Sequence, residues 1–381
     1  MFQAPPLSLY IHIPWCVQKC PYCDFNSHAL KHDIPEQDYV EELIKDLDAD
    51  IAQFKLEERQ LHSIFIGGGT PSLFSPSAIQ SLLSQVKTRF SCAPEMEVTL
   101  EANPGTVEAD KFIGFAEAGV TRLSIGVQSF ESEKLIKLGR IHDSNQAQRA
   151  AKLAKQAGIK SFNLDLMHGL PNQTVEGALE DLKTAIALEP DHISWYQLTI
   201  EPNTAFYSKP PKLPVDDTLW SIQEQGVELL HQAGYVQYEI SAYSKPNFRS
   251  AHNLNYWTFG DYLGIGCGAH GKITDTTSGK IQRTVKVKHP KGYLDKARLH
   301  LDQLRDVAAE EIPFEFMMNQ LRLRQPFSLT HFEQRTGLSD QIILPTLIQA
   351  QRKGLLECKG ENWQVTIQGH RYLNDLLEMF L

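Results

Sequence analysis

The chain has little that would direct it to a membrane, to an export pathway or to nucleic acid. No uninterrupted apolar run approaches the roughly 18 residues that a membrane helix needs. The N-terminal residues Met-Phe-Gln-Ala-Pro-Pro-Leu have no basic region followed by an apolar run, so no signal peptide is visible. The formal net charge of −9 opposes general nucleic-acid binding, which requires Lys and Arg to neutralise phosphates. We therefore expect a cytoplasmic protein with no nucleic-acid partner and no integral membrane segment.

The chain also has few cysteines, and three of the six lie in one short segment. Three of the six cysteines stand singly, which does not indicate a disulfide framework. The other three, Cys16, Cys20 and Cys23, follow a short apolar run with the spacing C-x3-C-x2-C. Clustered thiols in a chain without an export signal indicate a reducing compartment and a metal.

The cysteine segment has no fourth cysteine nearby. A tetrahedral zinc site or a fully protein-ligated iron–sulfur cluster uses four protein ligands. A centre with three thiolates leaves one position for an external ligand, which indicates chemistry rather than a structural role. The alternatives at this stage are a zinc site completed by His12 or His28, and three thiols without a metal.

Strand and helix signals alternate along the first ~240 residues, a pattern typical of a parallel sheet. Amphipathic stretches such as Asp38–Phe54 carry apolar residues at helical spacing. Six βα units of this length form either an open doubly wound sheet or a curved partial barrel, and both bind ligands at the carboxyl ends of the strands. The six predicted strands are Leu7–Pro14, Ser63–Ile66, Glu97–Leu100, Arg122–Val127, Ser161–Met167 and His192–Ile200.

We predict three segments: an α/β core over residues 1–240, an irregular extension over 241–305, and a smaller C-terminal domain over 306–381. The last segment has helical patterns at Glu311–Leu323 and Gln341–Arg352, followed by a hairpin turning at Lys359–Asn362. This order predicts a mainly helical, winged-helix-like domain. Residues 308–381 hold seven Lys and Arg against nine Asp and Glu, so we expect packing rather than DNA binding.

The cysteine motif and its surroundings resemble the radical S-adenosylmethionine (SAM) superfamily over roughly residues 7–240. The motif opens the series of βα units, the run Gly67-Gly-Gly-Thr-Pro71 follows the second strand, and Tyr22 and Phe25 flank the thiols. The resemblance implies a partial (β/α)6 barrel in which the three cysteines hold a [4Fe–4S] cluster. It also implies that the fourth iron binds the amino and carboxylate groups of SAM, which explains the missing fourth thiol.

The resemblance also assigns residues near the strand ends to SAM. Taken alone, glycines at these positions indicate a turn, and each polar residue indicates a helix cap or a surface salt bridge. Together they fit SAM, because carboxylates accept from ribose hydroxyls or an amine and Arg holds a carboxylate. The assigned residues are Tyr10, Gly68, Gly69, Thr70, Glu101, Gln128, Arg140, Asp165 and, with a weaker local match, Thr199.

Within the superfamily the chain is most similar to the oxygen-independent coproporphyrinogen oxidase-like proteins. The likeness is carried by the runs Tyr-Ile-His-Ile-Pro-Trp-Cys16, Gly126-Val-Gln-Ser-Phe130 and Asp165-Leu-Met-His-Gly-Leu-Pro-Asn-Gln-Thr174. This family contains oxidases, which decarboxylate coproporphyrinogen III by radical chemistry, and haem chaperones with the same fold.

A second motif, His252-Asn-Leu-Asn-Tyr-Trp257, fits the pattern H-N-x-x-Y-W of the haem chaperones. The resemblance implies that His252 is an axial haem ligand and that the adjacent aromatic rings pack on the porphyrin. The alternative is a polar loop whose aromatic residues pack against the barrel.

Two departures separate the sequence from the oxidases. Phe25 occupies the last cysteine position of their pattern C-x3-C-x2-C-x-C, and only fifteen residues precede Cys16, where the oxidases have an extension that helps enclose the substrate. We therefore expect a haem chaperone that binds the cluster, SAM and haem, passes haem to haem-dependent respiratory enzymes, and can form a homodimer. The alternatives are a coproporphyrinogen III oxidase and a zinc-stabilised interaction protein.

Overall fold

Helices and parallel strands alternate through the first half of the chain, as the periodicity predicts. The computed structural model describes residues 2–381. The stretch from Thr106 to Ala118 forms two short helices, since Asp110 and Lys111 interrupt it. The first elements are β1 Leu7–Ile13, β2 Trp15–Cys16, β3 His28–Ala29, α1 Glu36–Phe54, β4 Gln60–Gly68, α2 Pro76–Arg89, β5 Ser91–Ala102, α3 Thr106–Ala109, α4 Phe112–Ala118, β6 Arg122–Gln128, α5 Ser132–Lys137, α6 Ser144–Gln156, β7 Ser161–His168, α7 Val175–Ala187 and β8 His192–Gln197.

Apart from one long helix, α9, the second half contains mainly short elements. They are α8 Ala205–Ser208, α9 Asp216–Gln232, β9 Val236–Glu239, β10 Ala242–Ser244, α10 Ala251–Trp257, β11 Asp261–Gly266, β12 His270–Asp275, β13 Lys280–Lys286, α11 Pro290–Tyr293, β14 Leu301–Asp306, α12 Ile312–Gln320, β15 Phe327–Ser328, α13 Leu329–Thr336, α14 Leu344–Arg352, β16 Leu356–Lys359, β17 Asn362–Val365, α15 Ile367–Arg371 and α16 Leu373–Glu378.

The sheet order decides between the two architectures that the sequence allows. Strands β1, β4, β5, β6, β7 and β8 pair in parallel and in chain order within the main sheet. A doubly wound sheet reverses its order at a switch point, and none occurs among these six strands. Because the crossovers all turn the same way, the connecting helices share one face of the sheet. The predicted partial (β/α)6 barrel is confirmed.

Side-chain alternation makes one face of the barrel apolar and the other polar. On β1, Leu9 and Ile11 are fully buried against the helices, whereas Tyr10 and His12 point to the interior. On β6, Leu123 belongs to the same apolar core, so its neighbours on either side face inward. Burial of the outer face stabilises the barrel, and the polar interior is available to a ligand.

Residues 241–305, which we expected to form an irregular extension, contain regular strands. Strand β11 pairs in parallel with β1, and β12, β13 and β14 extend the same sheet by antiparallel pairing. Near the C-terminus, β15, β17 and β16 form a small antiparallel sheet packed with helices around Phe316, Phe332 and Trp363, as the winged-helix-like pattern predicts. The proposed boundaries near residues 240 and 305 stay a prediction. Across residues 2–381, no helix has the length and apolar character needed to cross a bilayer.

Candidate functional site

A cavity of about 560 Å³ occupies the barrel and opens at the carboxyl ends of the strands. Its wall brings together most of the residues predicted from the sequence. These are Cys16, Cys20, Cys23, Gly68, Gly69, Thr70, Glu101, Gln128, Arg140, Asp165 and Thr199. The other two candidates, Tyr10 and His252, lie beneath this wall in the barrel interior.

The three cysteines lie at the end of β2 and in the loop that follows it. The backbone N–H of Thr70 donates to the carbonyl oxygen of Trp15 at 2.7 Å, which fixes the start of this loop. Burial raises the pKa of the Cys16 thiol, and a hydrogen bond with Thr70 partly opposes that effect. The Cys23 sulfur lies 3.7 Å from Ser27 Oγ. The thiols therefore share one partly buried mouth of the cavity.

The far end of the cysteine loop is tied to the rest of the chain by Asn26. Its Nδ2 donates to the carbonyl oxygens of Cys267 and Lys288, each at 2.9 Å, and its own carbonyl oxygen lies 2.9 Å from His12 Nε2. Burial lowers the pKa of His12 to about 4. His12 is thus a neutral ring that holds the loop in place.

Within residues 2–381, no three His, Cys, Asp or Glu side chains are grouped as ligands of a single metal ion. A zinc ion requires its donors around one point. The cysteines of a [4Fe–4S] cluster each bind a different iron, so they need not converge in this way.

The glycine run has a packing explanation of its own. Gly68 has φ of +109°, and a Cβ there would lie 2.5 Å from His12 Cε1. A Cβ on Gly69 would lie 2.5 Å from the carbonyl oxygen of Trp15. Both positions thus require glycine because the end of β1 passes close by, and the same backbone is left open to the cavity.

Arg140 connects one cysteine with the cavity wall. Its Nη1 lies 3.6 Å from the Cys20 sulfur, and its Nη2 donates to Asn103 Oδ1 at 2.6 Å and to the carbonyl oxygen of Gly126 at 2.7 Å. Asn103 Nδ2 in turn donates to Thr70 Oγ1 at 3.2 Å. Burial alone would lower the pKa of Arg140, but the neighbouring Tyr22, Cys20 and Tyr196 outweigh it and keep the guanidinium charged.

Two carboxyl groups of the cavity wall, Glu101 and Asp165, interact electrostatically. Glu101 Oε2 accepts from the backbone N–H of Gly68 at 3.0 Å. Burial, and then the charge of Asp165, raise the pKa of Glu101 to about 7. Asp165 lies inside β7 rather than after it, and reaches the cavity because its position in the strand faces inward.

Asp165 is the upper end of a chain of buried hydrogen bonds. Asn163 Nδ2 donates to Asp165 Oδ1 at 2.8 Å, while Asn163 Oδ1 lies 2.7 Å from His192 Nδ1. Since that amide oxygen can only accept, His192 carries its proton on Nδ1, and Nε2 accepts from Tyr238 OH at 2.8 Å. The backbone N–H of Ser250, the N-cap of α10, donates to Tyr238 OH at 3.3 Å. The cavity carboxylate is thus linked to the start of α10.

Tyr10 and Gln128 are placed by hydrogen bonds within the barrel. Tyr10 OH lies 3.0 Å from His12 Nδ1, and burial, then the charge of Glu101, raise the pKa of the phenol. Gln128 ends β6 with φ of +69° and accepts from Tyr196 OH at 3.0 Å.

His252 lies on helix α10 and not in a loop. Its side chain is 8 % exposed, and its Nδ1 lies 3.0 Å from Ser63 Oγ. Burial, and then the charge of Arg122, lower the pKa of His252 to about 3, so the ring is neutral. Trp257 on the same helix lines the cavity, whereas Tyr256 is exposed.

Comparison with known proteins identifies the family. The model of the radical SAM superfamily matches residues 10–185, and that of the HemN C-terminal domain matches residues 307–372. A protein of Haemophilus influenzae named heme chaperone HemW is 57 % identical over 383 residues, which cover 100 % of this chain and 99 % of the relative. The Escherichia coli protein of the same name is 58 % identical over 381 residues and 100 % of both chains. The chain belongs to the HemW family.

The fold of this HemW family member also occurs in an oxidase. The structure titled coproporphyrinogen III oxidase (HemN) from Escherichia coli, a radical SAM enzyme, superposes with a TM-score of 0.82 at 24 % identity. The match covers 99 % of this chain and 90 % of the oxidase chain. This similarity confirms the predicted radical SAM fold and concerns the fold alone.

Several polar residues of this HemW family site were missed by the sequence reasoning. Asn103 had a signal, since the run Glu101-Ala-Asn-Pro104 follows a predicted strand. Tyr196, Asn163 and His192 had none, because each belongs to a segment whose pattern predicts only a strand. Only the pairing of neighbouring strands brings them together.

Proposed function

We propose that the protein is a cytoplasmic haem chaperone that holds a [4Fe–4S] cluster, SAM and haem, and delivers haem to haem-dependent respiratory enzymes. One observation carries this proposal: a neutral, oriented imidazole, His252, lies on the helix whose Trp257 lines the same cavity as the three cysteines. The name shared by the H. influenzae and E. coli relatives supports it. Dimerisation is part of the same proposal.

The cluster would be held by Cys16, Cys20 and Cys23, and SAM by the cavity wall around them. When bound, the two supply the electron-transfer chemistry of the superfamily. The donor set fits, because the cysteines provide three soft ligands and leave one iron for another molecule. Arg140 is oriented by Asn103 to neutralise a carboxylate near Cys20.

The polar groups deeper in the cavity fit the rest of SAM. Ionised Glu101 and Asp165 can accept hydrogen bonds from ribose hydroxyls or an amine. The backbone at Gly68 and Gly69 has no side chain to obstruct a ligand. Thr199 lies at the exposed rim of the same wall.

Haem would be ligated by His252. A metal-binding imidazole must be neutral, and the lowered pKa of His252 satisfies this requirement. When Nδ1–H donates to Ser63 Oγ, Nε2 is the nitrogen that remains for iron. Ser63 Oγ is 2.7 Å from Ser8 Oγ, so its own proton has an acceptor.

Titration with haem tests this assignment. The wild type should bind haem with a Soret band typical of histidine ligation, and His252→Ala should lose that band or bind more weakly. His62→Ala is the matched control, since His62 is an exposed histidine beside Ser63. Unchanged affinity and spectrum in His252→Ala would remove His252 as the ligand.

Turnover distinguishes the chaperone from an oxidase with the same fold. Anaerobic incubation of the reconstituted protein with coproporphyrinogen III, SAM and a reductant should yield no protoporphyrinogen. Phe25, where the oxidases have a further cysteine, is 58 % exposed at the cavity mouth. Appreciable product would overturn the chaperone proposal in favour of the oxidase.

A further inference from the structure

A buried cation without a counterion lies in the barrel interior, beside His252. Arg122 is 3 % exposed, and its Nε has no hydrogen-bond partner. Among residues 2–381, no carboxylate forms an ion pair with its guanidinium. Burying an arginine in this way is costly unless something pairs with it.

A second unsatisfied group lies next to Arg122. Thr99 is its partner in the register of β5 and β6, is fully buried, and its Oγ1 also lacks a hydrogen-bond partner. Both residues alternate with apolar neighbours that face the helices, so both side chains face the barrel interior. Two unsatisfied polar groups thus occupy adjacent inward positions of neighbouring strands.

The nearby carboxylates are already engaged. Asp165 accepts from Ser124 Oγ and Asn163 Nδ2, at 2.9 and 2.8 Å. Glu97 accepts from the backbone N–H groups of Ala251 and His252 at 2.9 and 3.0 Å. Burial raises the pKa of Asp165, and its hydrogen bonds and then the charge of Arg122 partly oppose that rise. Neither carboxylate is within ion-pair distance of Arg122, so its positive charge has no direct ion-pair partner.

The neighbouring histidines do not provide a counterion either. Burial, followed by the charge of Arg122, lowers the pKa values of both His192 and His252, so both rings are neutral. Arg122 lies two residues before Ser124 on β6 and on the same inward face, and Ser124 lines the cavity. The cation therefore lies between the cavity and the helix that carries His252.

We propose that Arg122, assisted by Thr99, binds a carboxylate of the ligand that reaches the lower end of the cavity, namely a propionate of haem. This inference rests on the proposed function. A guanidinium recognises a carboxylate through two parallel hydrogen bonds, and a hydroxyl can donate a third. Carboxylate binding compensates the buried charge and orients the porphyrin relative to His252.

Haem and its dimethyl ester test the proposal, because the ester keeps the iron and the ring but has no carboxylate. Arg122→Gln should weaken haem binding by roughly 10- to 100-fold, the range for a hydrogen bond to a charged group, and should not weaken ester binding. Arg122→Lys should restore part of the loss. The matched control is Arg249→Gln, which removes an exposed cation above the Tyr238 ring.

Thr99→Val is a second variant that shows whether weaker binding could result from misfolding. It removes an unsatisfied hydroxyl, so the chain should remain as stable as the wild type while binding haem, but not the ester, more weakly. Equal losses for haem and ester in the Arg122 variants, or no loss for either, would overturn the proposal. Absence of haem binding by the wild type would instead reject the proposed function itself, and the two failures are thus distinguishable.

Discussion

The guanidinium of Arg322 lies over the indole ring of Trp257, 4.2 Å from its centroid. The same side chain pairs with Glu239, with Nη2 3.0 Å from Oε2. Trp257 and Glu239 both line the cavity, whereas Arg322 follows α12 near the C-terminus. A residue of the C-terminal segment therefore supports the cavity wall and α10.

Loss of this contact should destabilise the protein. Arg322→Ala removes the stacking and leaves Glu239 buried without its partner, so we expect the free energy of unfolding to fall by about 1–3 kcal/mol, less than for a fully buried pair. Urea unfolding measures the change. Arg371→Ala is a matched control, because Arg371 stacks on Trp220 and pairs with Glu224 at the surface. Equal losses in the two variants would contradict this role for Arg322.

Each cysteine of the cavity should be required for the cluster. Cys16→Ala, Cys20→Ala and Cys23→Ala leave two thiolates, which rarely retain a [4Fe–4S] cluster. After anaerobic reconstitution we expect loss of the charge-transfer absorption and of the reduced EPR signal. Cys358→Ala, in the hairpin of β16 and β17, is the control and should keep both. Zinc bound in stoichiometric amount, with no iron, would favour the interaction-protein alternative.

SAM affinity should depend on pH through Glu101. Burial, and then the charge of Asp165, raise the pKa of this carboxyl from 4.5 to about 7. Between pH 4.5 and about pH 7, the folded chain therefore binds more protons than the unfolded chain. Stability contributed by Glu101 is therefore lost as pH rises through this window. In the proposed complex the ionised form would accept hydrogen bonds from SAM, so affinity should increase across the same window.

Equilibrium binding of SAM below and above pH 7 measures the dependence on Glu101. Glu101→Gln fixes the side chain in a neutral form, so its affinity should change little with pH where that of the wild type rises. An identical rise in the variant would assign the effect to another group.

The buried hydrogen bonds below Asp165 should contribute to stability. Tyr238→Phe removes the donor to His192 Nε2 and leaves that nitrogen unsatisfied, which costs about 1–3 kcal/mol in the free energy of unfolding. Tyr372→Phe, at an exposed tyrosine, should cost much less. Thermal or urea unfolding compares the two. Equal stability of Tyr238→Phe and the wild type would indicate that water replaces the hydroxyl.

The strands could be predicted because each is a short, largely apolar run, and every bound lies within six residues of its expected position, with four of the six starts identical. The choice between barrel and open sheet could not be made, since both consist of the same βα units. It depends on strand order, which pairing determines and local periodicity does not.

The cavity wall could be predicted in large part because glycines, cysteines and charged residues follow the strands. Arg122 and His192 could not, because their importance depends on which face of a strand they occupy. The short helix α10 was missed because seven residues give too few turns for a clear period. The serine before it, Ser250, is its N-cap and was the one available signal.

The hydrogen bonds of Asn26 have a consequence for ligand binding by the three thiols. They hold the far end of the cysteine loop, while the Leu30 N–H donates to the Cys16 carbonyl oxygen at 2.9 Å on the near side. Because hydrogen bonds of the chain itself hold both ends of this loop, the three thiols would lose less conformational entropy on binding a ligand than thiols of a free loop would.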